Sequence, residues 1–259
     1  MRPLPTSSRS APTVEVAQNV LAYPLFLAEP SRDDVVRAVH SVKAASAIDD
    51  AEDVICVEFG PVTVFVSILG APIPDREAEY FCHPQFLKDG LPAEQQASAI
   101  IAAQTQGDGA PSDPRKAQIQ RMKAHARVLA AIAGLPECIG VYVGSAATTL
   151  PAHLVTEVLA GDPVYSMVYS PIWLVPKGSR GDAYSVGLKA MGHAEIQAVD
   201  IDATDESTLN YLADIAQYII TGATIVAGES LQRPMEKKHS TTWEPWVGDE
   251  GATALQIDL

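Results

Sequence analysis

Short stretches in which apolar and polar residues alternate recur along the chain, and this period-two pattern predicts β-strands. It is clearest at residues 54–59 and 62–69, where the pair Gly60-Pro61 between the two stretches predicts a hairpin. Comparable stretches predict further strands at residues 21–27, 138–143, 164–175, 184–188, 195–201 and 224–226.

Apolar residues that recur every three or four positions predict amphipathic helices between these strands. The clearest helix begins at Asp113-Pro114, because aspartate is a good N-cap residue and proline fits the first helical position. Another helix covers residues 209–220, with Thr204 or Asp205 as its N-cap. Shorter helices are predicted at residues 31–45, 75–82 and 151–159.

The stretch at residues 183–229 holds the most complete pattern. It reads as a strand, a turn at Gly192-His193, a second strand, an amphipathic helix and a final strand. The apolar positions of the second strand change parity near Ala198-Val199, which predicts a β-bulge.

The order of these elements predicts an α+β fold, in which helices pack on one face of a largely antiparallel sheet. A strand–helix–strand–strand order opens the chain and recurs loosely near its end, which is compatible with two ferredoxin-like halves. Composition divides the chain into a flexible Pro- and Ser-rich leader at residues 1–18, a single domain at 19–229 and a polar C-terminal extension at 230–259.

Several short motifs punctuate the predicted elements. They are, in chain order, Ala71-Pro72-Ile73-Pro74, Gly140-Val141-Tyr142 with Gly144, Tyr184 with Gly187-Leu188-Lys189-Ala190, Gly192, Glu195-Ile196 and Gly228-Glu229-Ser230. In order and spacing, over about residues 20–230, these motifs resemble DUF4261, a family of bacterial domains of unknown function.

The resemblance to DUF4261 departs from the family pattern at two places. The family usually ends in Gly-Asp-Thr where this chain has Gly228-Glu229-Ser230, and it often has Trp at the position of Val143. The resemblance implies a strand at residues 97–103, before the long helix. It implies no activity and no catalytic residue.

The net charge and the cysteine content indicate which kinds of partner and which compartment suit this chain. The chain has 259 residues, of which 47% are hydrophobic, and a formal net charge of −14. Such a charge repels nucleic acid and anionic membranes and attracts basic partners, so we expect no nucleic-acid or membrane partner. Three widely spaced cysteines, Cys56, Cys82 and Cys138, favour a reducing, cytoplasmic location.

The negative charge is concentrated in one region. Residues 190–229 contain seven acidic residues and no Lys or Arg. Four of the seven cluster where a strand meets a helix N-terminus: Asp200, Asp202, Asp205 and Glu206. They are interpreted either as complements of the helix dipole or as a binding surface for a basic partner. Paired catalytic carboxylates are a third interpretation.

Two tryptophans, Trp243 and Trp246, lie in the polar C-terminal segment. Exposed aromatic residues are frequent interface anchors, which predicts a partner contact there. The alternative is that both side chains pack back onto their own domain.

Other candidate chemistry is weaker. Cys82-His83 is adjacent in sequence and offers a thiol and an imidazole, but neighbouring side chains rarely converge on one ion. Gly144-Ser145 lies between a strand and a helix without a phosphate-binding motif. The sequence therefore predicts no metal, cofactor or catalytic residue.

These observations favour a non-catalytic binding protein. The specific hypothesis is an immunity (antitoxin-like) protein that neutralises a basic bacterial toxin through Asp200, Asp202, Asp205, Glu206, Trp243 and Trp246. The alternatives are a hydrolase-like enzyme of unrecognised class, which would use Cys82 or an acidic pair, and a structural subunit of a larger assembly. The oligomeric state is left open.

Overall fold

The computed structural model describes residues 12, 14–51, 53–106, 109–161, 163–232 and 238–259. Most of the predicted leader, residues 1–11 and 13, lies outside this part of the chain. The fold is α+β, as predicted, with 30% helix and 34% strand. The strands form two mostly antiparallel sheets that share one continuous hydrophobic core.

The described part of the chain has six α-helices and thirteen strands. The strands are β1 (Val20–Phe26), β2 (Ala47–Asp49), β3 (Val54–Phe59), β4 (Val62–Leu69), β5 (Ala97–Thr105), β6 (Cys138–Val143), β7 (Thr148–Pro151), β8 (Ile172–Lys177), β9 (Arg180–Ser185), β10 (Ile196–Asp202), β11 (Ser230–Leu231), β12 (His239–Trp246) and β13 (Asp249–Ile257). The helices are α1 (Arg32–His40), α2 (Glu77–Tyr80), α3 (Pro114–Ala133), α4 (Ala152–Leu159), α5 (Tyr165–Tyr169) and α6 (Glu206–Ile220).

The first sheet has the spatial order β2-β3-β4-β5-β1-β6-β7, and all its neighbouring strands are antiparallel. Its centre follows the chain order β1-α1-β4-β5-α3-β6 with the spatial order β4-β5-β1-β6. That is the ferredoxin-like arrangement, which the sequence indicated for this half. Helix α3 packs against β1, β4, β5 and β6, and α1 and α4 pack beside it.

The second sheet has the order β11-β12-β13-β10-β9-β8. Strand β13 pairs with β10 in parallel, and the other pairs are antiparallel. In the described part of this half, α6 is the one long helix and packs against β8, β9 and β10, so this half is not ferredoxin-like. Strands β12 and β13 form a hairpin within this sheet. The segment expected to be a C-terminal extension, residues 230–259, therefore contributes strands to the folded core.

Local signals placed the best-defined elements correctly. The carboxylate of Asp113 accepts hydrogen bonds from the backbone N–H groups of Arg115 and Lys116, and α3 begins at Pro114. The hairpin of β3 and β4 turns at Gly60, where φ is 61°. The β9–β10 register shifts after Ala198, which confirms the predicted bulge.

One predicted strand is wrong, and another is right only at residues 172–175, which belong to β8. In both places a long-range hydrogen bond replaces strand pairing. Residues 164–175 begin with α5 instead of an extended segment, and the side chain of Gln217 accepts a hydrogen bond from Ser166 N–H at its start. Residues 224–226 form no strand, because the backbone of Ile225 bonds to the ring of His193.

Candidate functional site

The four clustered acidic residues lie where β10 ends and α6 begins, and we call Asp200, Asp202, Asp205 and Glu206 the acidic corner. Asp200 occupies the β-bulge with φ at 52°, a conformation uncommon outside glycine. Its Oδ1 accepts a hydrogen bond from Nε of Arg180 at 2.8 Å. One of the four charges is therefore compensated within the fold.

Local hydrogen bonds hold Asp202 and Asp205. Oδ1 of Asp202 accepts from the Thr204 backbone N–H at 2.9 Å, and this bond lowers the pKa of Asp202. Asp205 caps α6, with its Oδ1 accepting from Ser207 N–H at 2.9 Å. The bond from the Ser207 hydroxyl is the main cause of a lowered pKa at Asp205. Both carboxylates are therefore ionised at neutral pH.

Three carboxylates of the corner form no salt bridge in the described chain, although the charge of Arg180, opposite Asp202 in the β9–β10 pair, contributes to the lowered pKa of Asp202. Within the described ranges, no salt bridge joins Asp202, Asp205 or Glu206 to a basic side chain. The nearby Lys177 is already paired with Asp182 at 2.5 Å. Residues 202 and 206 are exposed, and 205 is half-buried. The corner therefore presents a fixed negative charge to solvent.

A groove opens beside the acidic corner. It lies between the edge strand β8, the start of α6 and the segment at residues 83–86, and we call it the β8 groove. Its larger cavity has a volume of about 500 Å³ and is lined by Leu174 and Pro176 from β8 and by Glu206 and Leu209 from α6. An apolar cleft is thus bordered by one member of the acidic corner, Glu206.

A smaller cavity of about 210 Å³ continues the groove, because Gln85 and Leu209 line both cavities. It is also lined by Ser166 and Ser170, which are 1% and 0% exposed. Neither serine hydroxyl has a hydrogen-bond partner in the described structure. Buried hydroxyls normally have one, so this end of the groove offers two unused polar groups.

The Cys82-His83 pair beside the groove is unsuited to nucleophilic chemistry. Burial, with Glu79 nearby, raises the pKa of the Cys82 thiol, so the thiol stays protonated. The buried ring of His83 packs on Trp173 and its Nε2 lies 3.1 Å from the carbonyl oxygen of Ile172. Burial lowers the pKa of His83 to about 4.

Two further histidines are used within the fold. His125 is fully buried, with Nδ1 2.8 Å from the Tyr169 hydroxyl and Nε2 3.0 Å from the Ile101 carbonyl oxygen. Burial lowers the pKa of His125 to about 4. His193 bonds to the backbone of Ile225 in the way described above. These side chains hold segments together.

Glu195, one of the seven acidic residues at residues 190–229, is buried and hydrogen-bonded within the fold. It is 1% exposed and accepts hydrogen bonds from the Ser185 hydroxyl and from the backbone N–H groups of Gly187, Leu188 and Lys189. Burial raises its pKa, and the four donors oppose that effect. The carboxylate therefore organises the turn after β9.

The contacts of the two tryptophans are with residues outside the acidic corner. Trp246 lies edge-on to Tyr184 with ring centroids 5.9 Å apart, and Nζ of Lys189 lies 4.5 Å from its ring centroid. Trp243, opposite Leu255 in the β12–β13 hairpin, packs against the main core. Both side chains contact their own domain, as in the second interpretation of this segment.

The upstream motifs meet at a separate cavity of about 270 Å³ on the first sheet. It is lined by Ile73, Pro74, Tyr142 and Gly144, and the Tyr142 hydroxyl donates to Oε1 of Glu77 at 2.7 Å. Motifs that are distant in sequence are therefore neighbours in space. No charged group of this cavity is buried without a partner among the residues described.

Two features are absent from the part of the chain that the structure describes. No three His, Cys, Asp or Glu side chains are grouped closely enough to hold a metal ion. No helix is both long enough and apolar enough to cross a membrane.

The sequence identified the acidic corner because its members lie within seven positions of one another. It missed the β8 groove, whose walls come from residues 83–86, 166–176 and 203–213. Comparison of the chain with family profiles, with characterised proteins and with solved structures finds no match. The resemblance to DUF4261 stays a prediction.

Proposed function

We propose that this protein is a non-catalytic binding protein that recognises a basic protein partner through the acidic corner. One observation carries the proposal. Asp202, Asp205 and Glu206 present carboxylates that form no internal salt bridge in the described chain, and Glu206 lines an apolar groove.

The electrostatics favour fast and selective association with such a partner. Charges at the rim of an interface mainly raise the association rate and make it depend on salt, and they reject partners of like charge. The formal net charge of −14 extends this preference over the whole molecule. The groove adds apolar surface next to the charges, which is where desolvated contacts contribute most to affinity.

A binding role also fits the use of the titratable side chains. His83, His125 and His193 hold segments of the fold together, and the Cys82 thiol is protonated. Their roles are explained by structure without a reaction.

The specific form of the proposal is an immunity protein that neutralises a basic bacterial toxin in the cytoplasm. A toxin that acts on nucleic acid carries a basic surface, and an acidic protein can cover such a surface. The resemblance to a bacterial family and the three free cysteines support this setting.

The test is affinity capture of the tagged full-length protein from cells of its source organism, followed by measured binding of the purified candidate. The corner variant D202N/D205N/E206Q removes three charges, and Asn at 205 keeps a good N-cap. The control variant E137Q/E157Q/E250Q removes three exposed charges elsewhere.

The proposal predicts one stoichiometric basic partner whose association rate falls in the corner variant and not in the control. Equal binding by both variants, or the absence of any basic partner, would refute it.

A further inference from the structure

The β8 edge of the second sheet offers unused backbone groups to the β8 groove. Among the described strands, β8 is the last of its sheet, so one side of its backbone has no neighbouring strand there. The Ile172 carbonyl oxygen bonds to His83, which shows that the backbone groups of Ile172 point away from β9. Strand geometry repeats every second residue, so the groups of Leu174 and Pro176 point the same way.

The hairpin register supports this assignment. Strands β8 and β9 are joined by the two-residue turn at residues 178–179, and Lys177 pairs with Arg180. Beside a turn of this length the closing pair exchanges hydrogen bonds, and the pairs alternate from there. Leu174 then falls opposite Ala183 at a position without mutual bonds. Pro176, which lacks an N–H, fits an edge position whose N–H would point outward.

Three features therefore line one groove. Leu174 and Pro176, the residues whose backbone groups point away from β9, line its larger cavity. Ser166 and Ser170, whose hydroxyls are buried and have no hydrogen-bond partner in the described structure, line the smaller cavity. Glu206 of the acidic corner also lines the larger cavity and is absent from the lining of the smaller one. Backbone groups along an edge, with side-chain pockets beside them, are the features by which proteins bind extended peptides.

We propose that the β8 groove binds a short extended segment of the basic partner as an added strand on the edge of β8. A Lys or Arg of that segment lies against Glu206 and Asp202, and a small polar group reaches Ser166 and Ser170. This inference rests on the proposed function and names the part of the partner that is recognised. A second copy of this chain is a poorer occupant, because it brings its own net charge of −14.

The experiment selects peptides from a phage-displayed random decapeptide library on the immobilised full-length protein. Selected peptides are synthesised, and their affinity is measured by fluorescence anisotropy. Each backbone N–H of the best peptide is then methylated in turn. An added strand directs every second N–H to its neighbour, so methylation should abolish binding at alternate positions only.

Two protein variants locate the peptide. S166A/S170A removes hydroxyls that make no internal hydrogen bond, so the fold should tolerate it, and peptide affinity should fall about fivefold for a lost hydrogen bond. D202N/E206Q should weaken Lys- or Arg-containing peptides about tenfold. The control E137Q/E157Q should leave the affinity unchanged.

Three results would overturn the inference: no selected peptide, methylation effects without alternation, or equal affinity in the groove variants and the wild type. Dimers at micromolar concentration that S166A/S170A disrupts would assign the groove to a second copy and also overturn it. If a basic partner is captured but no peptide competes with it, the proposed function stands and only this inference fails.

Discussion

Two acidic sites lie within about ten residues of each other in this chain and differ in every physical respect. Glu195 is buried, and four donors surround its carboxylate. The acidic corner at residues 200–206 is largely solvent-exposed, and only Asp200 is paired with a basic side chain. A carboxylate whose hydrogen bonds are all made within the fold supports structure, whereas an exposed one without a salt bridge is available to a partner. The sequence alone does not distinguish these acidic residues, whereas the structure shows that they differ in burial and in hydrogen bonding.

The largest expected effect is at the buried site. Glu195→Ala leaves a buried hydroxyl and three buried N–H groups without their acceptor, and we expect a loss of about 4 kcal/mol in the free energy of unfolding. Denaturant titration measures it. Glu195→Gln keeps the shape and one acceptor oxygen, so its loss should be smaller. A loss below about 1 kcal/mol in Glu195→Ala would contradict the structural role.

The second effect concerns pH. The pKa of His125 is about 4 in the folded state against 6.5 for the free side chain, so the unfolded chain binds a proton first as pH falls. The stability contributed by neutral His125 is complete above pH 6.5 and is lost between pH 6.5 and 4, by about 3 kcal/mol.

Unfolding titrations at pH 7 and 4.5 test this expectation. His125→Gln should show a smaller loss of stability between the two values than the wild type. Exposed His153 is the matched control, and His153→Gln should lose as much stability as the wild type. Equal pH dependence in all three proteins would contradict the assignment of His125 as buried and neutral.

The third effect tests whether Trp246 in the C-terminal hairpin supports the fold, like Glu195, or contacts a partner, like the acidic corner. Trp246→Ala removes the contacts with Tyr184 and Lys189, and we expect thermal or denaturant unfolding to show a loss of about 2 kcal/mol. Partner affinity should not change. If affinity falls while stability is unaffected, Trp246 belongs to the interface, as the sequence first indicated.

The smallest effect on stability is expected at the acidic corner itself. The variant D202N/D205N/E206Q removes charges that are largely exposed, and Asn at 205 retains the helix cap. Its thermal midpoint should match that of the wild type within about 2 °C. A large loss of stability would mean that the corner, like Glu195, serves the fold.

The elements that sequence predicted well are those fixed by nearby residues. Asp113 and Pro114 set the start of α3, and Gly60 sets the turn between β3 and β4. The acidic corner was predicted for the same reason, since its four members are close in sequence. Such features depend on local hydrogen bonds and backbone geometry, which neighbouring residues determine.

The features that sequence missed depend on contacts between distant segments. The side chain of Gln217 accepts a hydrogen bond from the backbone at the start of α5. The ring of His193 bonds to the backbone of Ile225, which therefore does not pair with a strand. The hairpin of β12 and β13 has a polar, alternating sequence, and its place beside β10 follows from tertiary packing. The β8 groove is likewise assembled from three segments, and no single stretch of sequence contains its pattern.

The most direct test of the central claim is the affinity of the basic partner for three proteins, measured at 50 and 300 mM salt. These are the wild type, the corner variant D202N/D205N/E206Q and the control variant E137Q/E157Q/E250Q. The account predicts that the corner variant binds about tenfold more weakly at low salt and depends less on salt, while the control matches the wild type. Equal losses in the two variants would show that net charge alone attracts the partner, and would contradict the assignment of the acidic corner as its binding site.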